Sequence, residues 1–196
     1  LQYAGHYNGL TLPATMTFTR NGKGYKVVST IKVPLYHIRF ESGGSISGNT
    51  IRPSYYKDVR GGKTYAEAKF RGNQVTYGKT GALQTETVGG TISDLCTLAW
   101  QLSANDAKLP ARLSITNGKK IYPVSGMSKI GSGSYTLNGK AIPVEKYRVQ
   151  RGDDTVTYSF ATSLGNIPAQ ISYTDDGKTY DLKLTSVSIN GKPVKP

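Results

Sequence analysis

One cysteine, one tryptophan, two histidines and two methionines are all that this chain of 196 residues holds of those types. A lone Cys96 excludes an internal disulfide framework. His6 and His37 show no paired ligand spacing, and a zinc centre needs three or four ligands. Acidic residues are scarce too: 12 Asp and Glu stand against 25 Lys and Arg, a formal net charge of +13. The excess is spread over both halves without a basic run, so there is no basic tail. No apolar run approaches the roughly 18 residues a membrane-crossing helix needs. The opening LQYAGHYNGL is neither basic nor apolar enough for a secretory leader and lacks an initiator Met. It reads as a processed or trimmed start.

Glycine (23) and tyrosine (14) are abundant, and they favour turns and strands. Asn-Gly recurs at 8–9, 21–22, 117–118, 138–139 and 190–191, each a hairpin signal. Gly61-Gly62, Gly72-Asn73 and Asp175-Asp176-Gly177 add further turns. Between turns the chain alternates. Tyr25, Val27, Ile31 and Val33 share one face of a strand; Tyr36, Ile38 and Phe40 share another; Val156, Tyr158 and Phe160 a third. This period of two predicts antiparallel sheet with one buried face. In YDLKLTSVSI (180–189) the apolar face switches, which predicts a bulge near Thr185-Ser186.

Only TISDLCTLAWQLSAND (91–106) departs from this pattern. Leu95, Leu98, Ala99 and Leu102 fall at helical spacing, and Thr91 with Asp94 resembles a capping box. The spacing predicts a helix over 92–104. The expected fold is therefore all-β and mainly antiparallel: one domain of 1–196, a strongly curved or open barrel-like sheet with one helix on its concave side.

The catalytic motifs fail on context. Ser29-Thr30-Ile31-Lys32 and Ser54-Tyr55-Tyr56-Lys57 match S-x-x-K, and Lys79-Thr80-Gly81 is a KTG. That chemistry needs Ser and Lys one helical turn apart, whereas on a strand positions i and i+3 face opposite ways. Gly61-Gly62-Lys63-Thr64 and Gly78-Lys79-Thr80 end like phosphate loops but lack the leading glycine and a following helix. Cys96 lies beside the apolar stripe and reads as a small hydrophobe. Asp153-Asp154 and Asp175-Asp176 fit turns, although a hydrolase built on them is the third functional class to weigh. Tyr55, Tyr56, Lys57, Arg60, Lys63 and Tyr65 bracket one hairpin with aromatics and cations, as do Tyr147, Arg148 and Arg151 elsewhere. Nucleic acid is not favoured there, because Tyr often falls on the apolar side of its strand.

The segments LPATMTF (12–18), ISGNTIRPSYYKDVRGGKTYAEAKF (46–70), SDLCTLAWQL (93–102) and NIPAQISYTDDGKTYDLKLTSV (166–187) carry a resemblance. In their order they resemble a bacterial family of exported proteins catalogued as domain of unknown function 3108. The resemblance implies a periplasmic or otherwise exported Gram-negative protein with a curved sheet and a helix against it. That outline is similar to periplasmic lipoprotein carriers, whose open barrels hold acyl chains. It brings no catalytic residues and no cofactor.

The leading functional expectation is a monomeric, non-enzymatic envelope protein with an apolar or acyl-chain ligand between sheet and helix. Tyr36, Ile38, Phe40, Leu95, Ala99, Trp100, Leu102, Tyr158 and Phe160 are the expected lining. The alternative is a basic-surface binder of polyanions, lipopolysaccharide or nucleic acid, or of a protein partner.

Overall fold

The computed structural model describes residues 1–7, 9–106, 108–175 and 177–196. Among the described residues it is all-β with one α-helix. Along the chain run β1 (Gln2–Tyr7), β2 (Leu10–Asn21), β3 (Gly24–Val33), β4 (Tyr36–Ser47), β5 (Thr50–Arg60), β6 (Lys63–Arg71), β7 (Gln74–Lys79) and β8 (Gln84–Thr87). Then come β9 (Thr91–Asp94), α1 (Leu95–Ala104) and β10 (Leu113–Thr116). The last strands are β11 (Ile121–Leu137), β12 (Lys140–Arg151), β13 (Asp154–Ala161), β14 (Ile167–Asp175), β15 (Lys178–Ile189) and β16 (Lys192–Val194). Contacts divide the chain into two compact units, Leu1–Met16 with Ser125–Pro196, and Thr17–Val124.

In the first unit β1 pairs with both β2 and β15, and β14, β13 and β12 follow in order, all antiparallel. The turns follow the sequence signals. Asn138-Gly139 and Asn190-Gly191 each place both residues at positive φ (51° and 79°; 51° and 75°), the geometry a two-residue hairpin loop requires. Asn8 and Asp176, in two other expected turns, lie outside the described residues. The bulge is where the face switch predicts it: Gln2 pairs with Ser186 but Tyr3 with Leu184, leaving Thr185 extra. Val144, Val149, Val156, Tyr158, Phe160, Ile171 and Leu184 are buried in this unit. The Tyr3 hydroxyl donates to the Pro168 carbonyl at 2.7 Å and the Tyr135 hydroxyl to that of Leu184 at 2.6 Å. Buried phenols thus find the partners that burial demands.

In the second unit β3 to β8 form a run of antiparallel hairpins. Alternation sorts their faces: Tyr25, Val27, Ser42, Tyr56, Asp58, Ala66, Ala68, Val75 and Tyr77 are buried. A short ribbon, β9 parallel to β10 and β10 antiparallel to β11, belongs to the same unit. Helix α1 packs on β3, β4, β5, β9 and β10.

Candidate functional site

Helix α1 starts three residues later than the apolar spacing suggests. Thr91 to Asp94 pair instead with Leu113 to Thr116, so the ladder uses their backbone groups. Asp94 is the cap, not Thr91: in extended conformation, it accepts from the Thr97 N–H at 2.8 Å. Cys96, Thr97, Leu98, Ala99, Gln101 and Leu102 are buried, while Leu95 and Trp100 are half-buried. Burying Leu98 and Leu102 contributes about 1.5–3 kcal/mol each. Trp100 stacks on Phe18 of β2 at 4.7 Å, and Phe18 in turn on Tyr25 at 6.0 Å. The indole N–H is buried and has no hydrogen-bond partner among the described residues.

Two polar residues of the helix face the sheet. Gln101 accepts from the Ile51 N–H at 2.6 Å and donates to the Asn49 carbonyl at 2.7 Å, which fixes α1 to the β4–β5 turn. Thr97 joins a buried cluster. Ser42 donates to the Asp94 carboxylate at 2.6 Å, the Thr97 hydroxyl donates to the same oxygen at 3.0 Å, and the Tyr25 hydroxyl lies 2.7 Å from that of Thr97. Burial pushes the Asp94 carboxyl up to about 6, against the pull of hydrogen bonds from Ser42 and Thr97. Burial, then the Asp94 charge, pushes the Cys96 thiol well up, so it stays protonated and unreactive. The seam offers a ligand hydroxyls and a carboxyl, and they already satisfy one another.

One end of this unit's sheet has a different character. The turns after β3, β5 and β7 all fall there, because successive hairpins return to the same side. Pro34 presets the first turn, and Leu35 follows at φ 76°, the position a type II turn normally gives to glycine. Leu35 is 104% exposed, and Tyr36 and Leu83 are each 44% exposed. The Gly61 N–H donates to the His37 carbonyl at 3.0 Å, joining the first turn to the second. The Thr80 N–H and hydroxyl donate to the Tyr65 and Thr64 carbonyls at 3.0 and 2.6 Å, joining the third. The Tyr65 ring takes the Arg60 guanidinium at 4.0 Å and the Lys79 ammonium at 5.6 Å. Arg60 also forks onto the Asp58 carboxylate at 3.1 and 3.0 Å. Lys32 and His37 flank the first turn, Lys63 follows the second and Lys79 leads into the third, and all four are exposed.

The residues expected to line one cavity therefore have several locations. Ala99 and Leu102 are buried in the α1 seam, with Leu95 and Trp100 at its margin. Tyr36, Ile38 and Phe40 share the Ser42 face of β4, but Tyr36 is exposed at the turn. Tyr158 and Phe160 belong to the other unit, buried and stacked on each other at 5.6 Å. Alternation points out apolar faces but misses Ser42, Thr97 and Gln101, whose polarity hides their burial. It also passes over Leu35, for which the signal is an apolar residue after Pro34 where a turn wants glycine.

No family model, curated protein or solved structure matches this chain. Among the described residues no three His, Cys, Asp or Glu side chains gather as a metal site would need, and no helix is long and apolar enough to cross a membrane.

Proposed function

We propose that the protein is a non-enzymatic, exported envelope protein that docks on anionic lipid surfaces through the hairpin end of its 17–124 unit. The observation that carries this reading is Leu35, a fully exposed leucine held in left-handed backbone, with exposed Lys32 on the strand before its turn and exposed Lys63 and Lys79 at the next two turns of the same end. An apolar tip with flanking cations suits the boundary between acyl chains and acidic head groups. Lys32, Lys63 and Lys79 would contribute about 1 kcal/mol each at an anionic surface. Burying the Leu35 side chain would add about 1.5–3 kcal/mol. Several kcal/mol of lost translational and rotational freedom oppose this, so the docking is weak and reversible. The formal charge of +13 acts in the same direction by drawing the whole chain toward acidic surfaces.

The other reading, an acyl chain held between sheet and helix, has less support. Leu98, Ala99 and Leu102 are buried in that seam, and its hydroxyls and carboxyl bond to each other. Co-sedimentation with vesicles of phosphatidylglycerol and of phosphatidylcholine tests the proposal. The expected result is binding to the anionic vesicles alone, lost as salt shortens the screening length. Equal binding to both vesicles, or none, would remove it.

A further inference from the structure

The outer face of the sheet in the 17–124 unit is the side turned away from the buried Tyr25, Ser42, Tyr56 and Ala68, and neither the α1 seam nor Leu35 uses it. Register aligns one row of this face from β3 to β8: Lys26, Gly43, Tyr55, Lys69, Thr76 and Thr85. At about 4.8 Å between neighbouring strands the row is about 24 Å long. We propose that it binds a linear acidic polysaccharide, with one sugar ring on Tyr55, carboxylates on Lys26, Lys57 and Lys69, and hydroxyls on Glu41 and Thr76.

The Tyr55 ring, near the middle of the row, is fixed before any ligand arrives. It leans across Gly43, where a Cβ would lie 2.6 Å from its Cε1, so glycine is what leaves it room. Its hydroxyl donates to Glu41 Oε1 at 2.7 Å. Burial, then that hydrogen bond to Glu41, pushes the phenol up to about 12, so it stays a donor at neutral pH. The Lys26 ammonium at 3.1 Å and the Arg39 guanidinium at 2.5 Å hold the same carboxylate. An ammonium carries three donors, so Lys26 can keep Glu41 and still pair with a ligand. On the strand of Tyr55 itself, the Lys57 ammonium lies 5.9 Å from the ring centroid. An anion on Lys57 therefore sits beside whatever rests on the ring. Lys26, Lys57 and Lys69 are exposed, and Tyr55 is half-buried. Past Lys69 the row ends in the hydroxyls of Thr76 and Thr85, 2.9 Å apart.

The mixture of groups selects the partner. On this face Lys26, Arg39, Lys57 and Lys69 outnumber the carboxylates Glu41 and Glu67, which draws an anionic polymer. A single-stranded nucleic acid stacks successive bases on successive rings, and Tyr55 is the one ring in this row. Its phosphates would also meet Glu41 and Glu67 with like charge. A sugar polymer brings carboxylates for the lysines and hydroxyls that donate to the glutamates. The C–H side of a sugar ring packs on an aromatic ring by dispersion. An acyl chain would need exposed apolar side chains, and Leu35, Tyr36 and Leu83 lie at the hairpin end, outside this row. Single exposed ion pairs are weak, so a polymer that engages several at once binds where its monomer does not.

Fluorescence anisotropy of end-labelled oligogalacturonate tests this, with galacturonate, neutral dextran and single-stranded oligo(dT) as competitors. The expected result is saturable binding of the oligomer, at least about tenfold tighter than any of the three competitors. Tyr55→Ala should weaken it at least about tenfold, and Tyr55→Phe, which keeps the ring, should retain most of the binding. Lys57→Ala/Lys69→Ala, at two exposed positions that leave the fold intact, should also weaken it and flatten its salt dependence. Leu35→Gly should leave it unchanged while weakening vesicle binding, so failure of the vesicle proposal does not carry over. Oligo(dT) binding as tightly as the acidic sugar, or folded Tyr55→Ala binding as the wild type does, would reduce the face to a general attractor of polyanions and overturn the proposal. So would the absence of saturable binding of the oligomer to the folded protein.

Discussion

The hydroxyl of Ser42 donates to the carboxylate of Asp94 at 2.6 Å, across 52 positions of sequence. Neither residue is exposed to solvent at all. Their meeting ties the start of α1 to the middle of β4 and places an ionisable group inside the unit. The Asp94 carboxyl is pushed from the usual 3.8 up to about 6, chiefly by burial, so the folded state holds its proton more tightly than the unfolded chain does. Its contribution to stability is therefore complete below pH 3.8 and is lost as pH rises through about 6. Asp94→Asn keeps an oxygen for the helix cap while removing the titration. The wild-type advantage in unfolding free energy over Asp94→Asn should fall as pH rises through that window, by at most about 1.4 kcal/mol per pH unit. Urea unfolding of both proteins between pH 4 and pH 7 checks this; a difference independent of pH would show that Asp94 does not titrate there.

Gln101 makes a second tie, to Ile51 and Asn49, and it can be tested without any charge. In Gln101→Leu the helix face becomes more apolar, so a simple hydrophobic account expects greater stability. The Ile51 N–H is buried, however, and would lose its acceptor. An unsatisfied buried donor costs about 1–3 kcal/mol, and because the Gln101 side chain already buries its own methylenes, leucine adds only part of the about 1.5–3 kcal/mol of a full burial. Gln101→Leu should therefore lower the denaturant midpoint with an unchanged m-value. A higher midpoint would mean that the seam is held by apolar packing alone.

These two residues show what the sequence made legible and what it hid. Period-two alternation carries the strands, because a strand between water and core must alternate. The Thr185 bulge is legible for the same reason, since a one-residue slip moves every following side chain to the other face. The helix is legible from Leu95, Leu98, Ala99 and Leu102. Residues 92–94 read as helix because Ile92 continues the apolar spacing, and only β10, over twenty residues later, offers the strand partner they take. Ser42 continues the face of Tyr36, Ile38 and Phe40, but a serine there reads as an end to the apolar stripe. Its partner Asp94 is one that no pattern within β4 can reveal. Leu35 belongs to a turn, where no alternation marks which residues will end side by side.

Cys96 provides a readout of how firmly the seam stays closed. Its thiol is buried and its ionisation suppressed by burial and by the Asp94 charge. Maleimide or iodoacetamide should not label the native protein, since the thiolate is the reacting species. Labelling should appear with denaturant in parallel with loss of the Trp100 fluorescence signal, because Trp100 closes the same seam. Mass spectrometry of the alkylated protein and tryptophan emission, followed across one urea series, measure the two. Full labelling in native buffer would show that α1 opens on its own, which an internal ligand would require.

Leu35 sets stability against docking, and the two effects have opposite signs in one variant. An L-residue in left-handed backbone costs about 1–2 kcal/mol, a cost that glycine escapes. The Leu35 side chain makes no compensating burial, being 104% exposed. Leu35→Gly should thus raise the thermal midpoint. If the hairpin end docks on anionic bilayers, the same change removes about 1.5–3 kcal/mol of apolar transfer and should weaken vesicle binding at least tenfold. Leu35→Asn separates backbone from side chain, since Asn tolerates left-handed backbone but cannot enter acyl chains. It should match glycine in lost vesicle binding. A variant that becomes more stable and still sediments with phosphatidylglycerol vesicles as the wild type does would mean that the strain at residue 35 serves no bilayer.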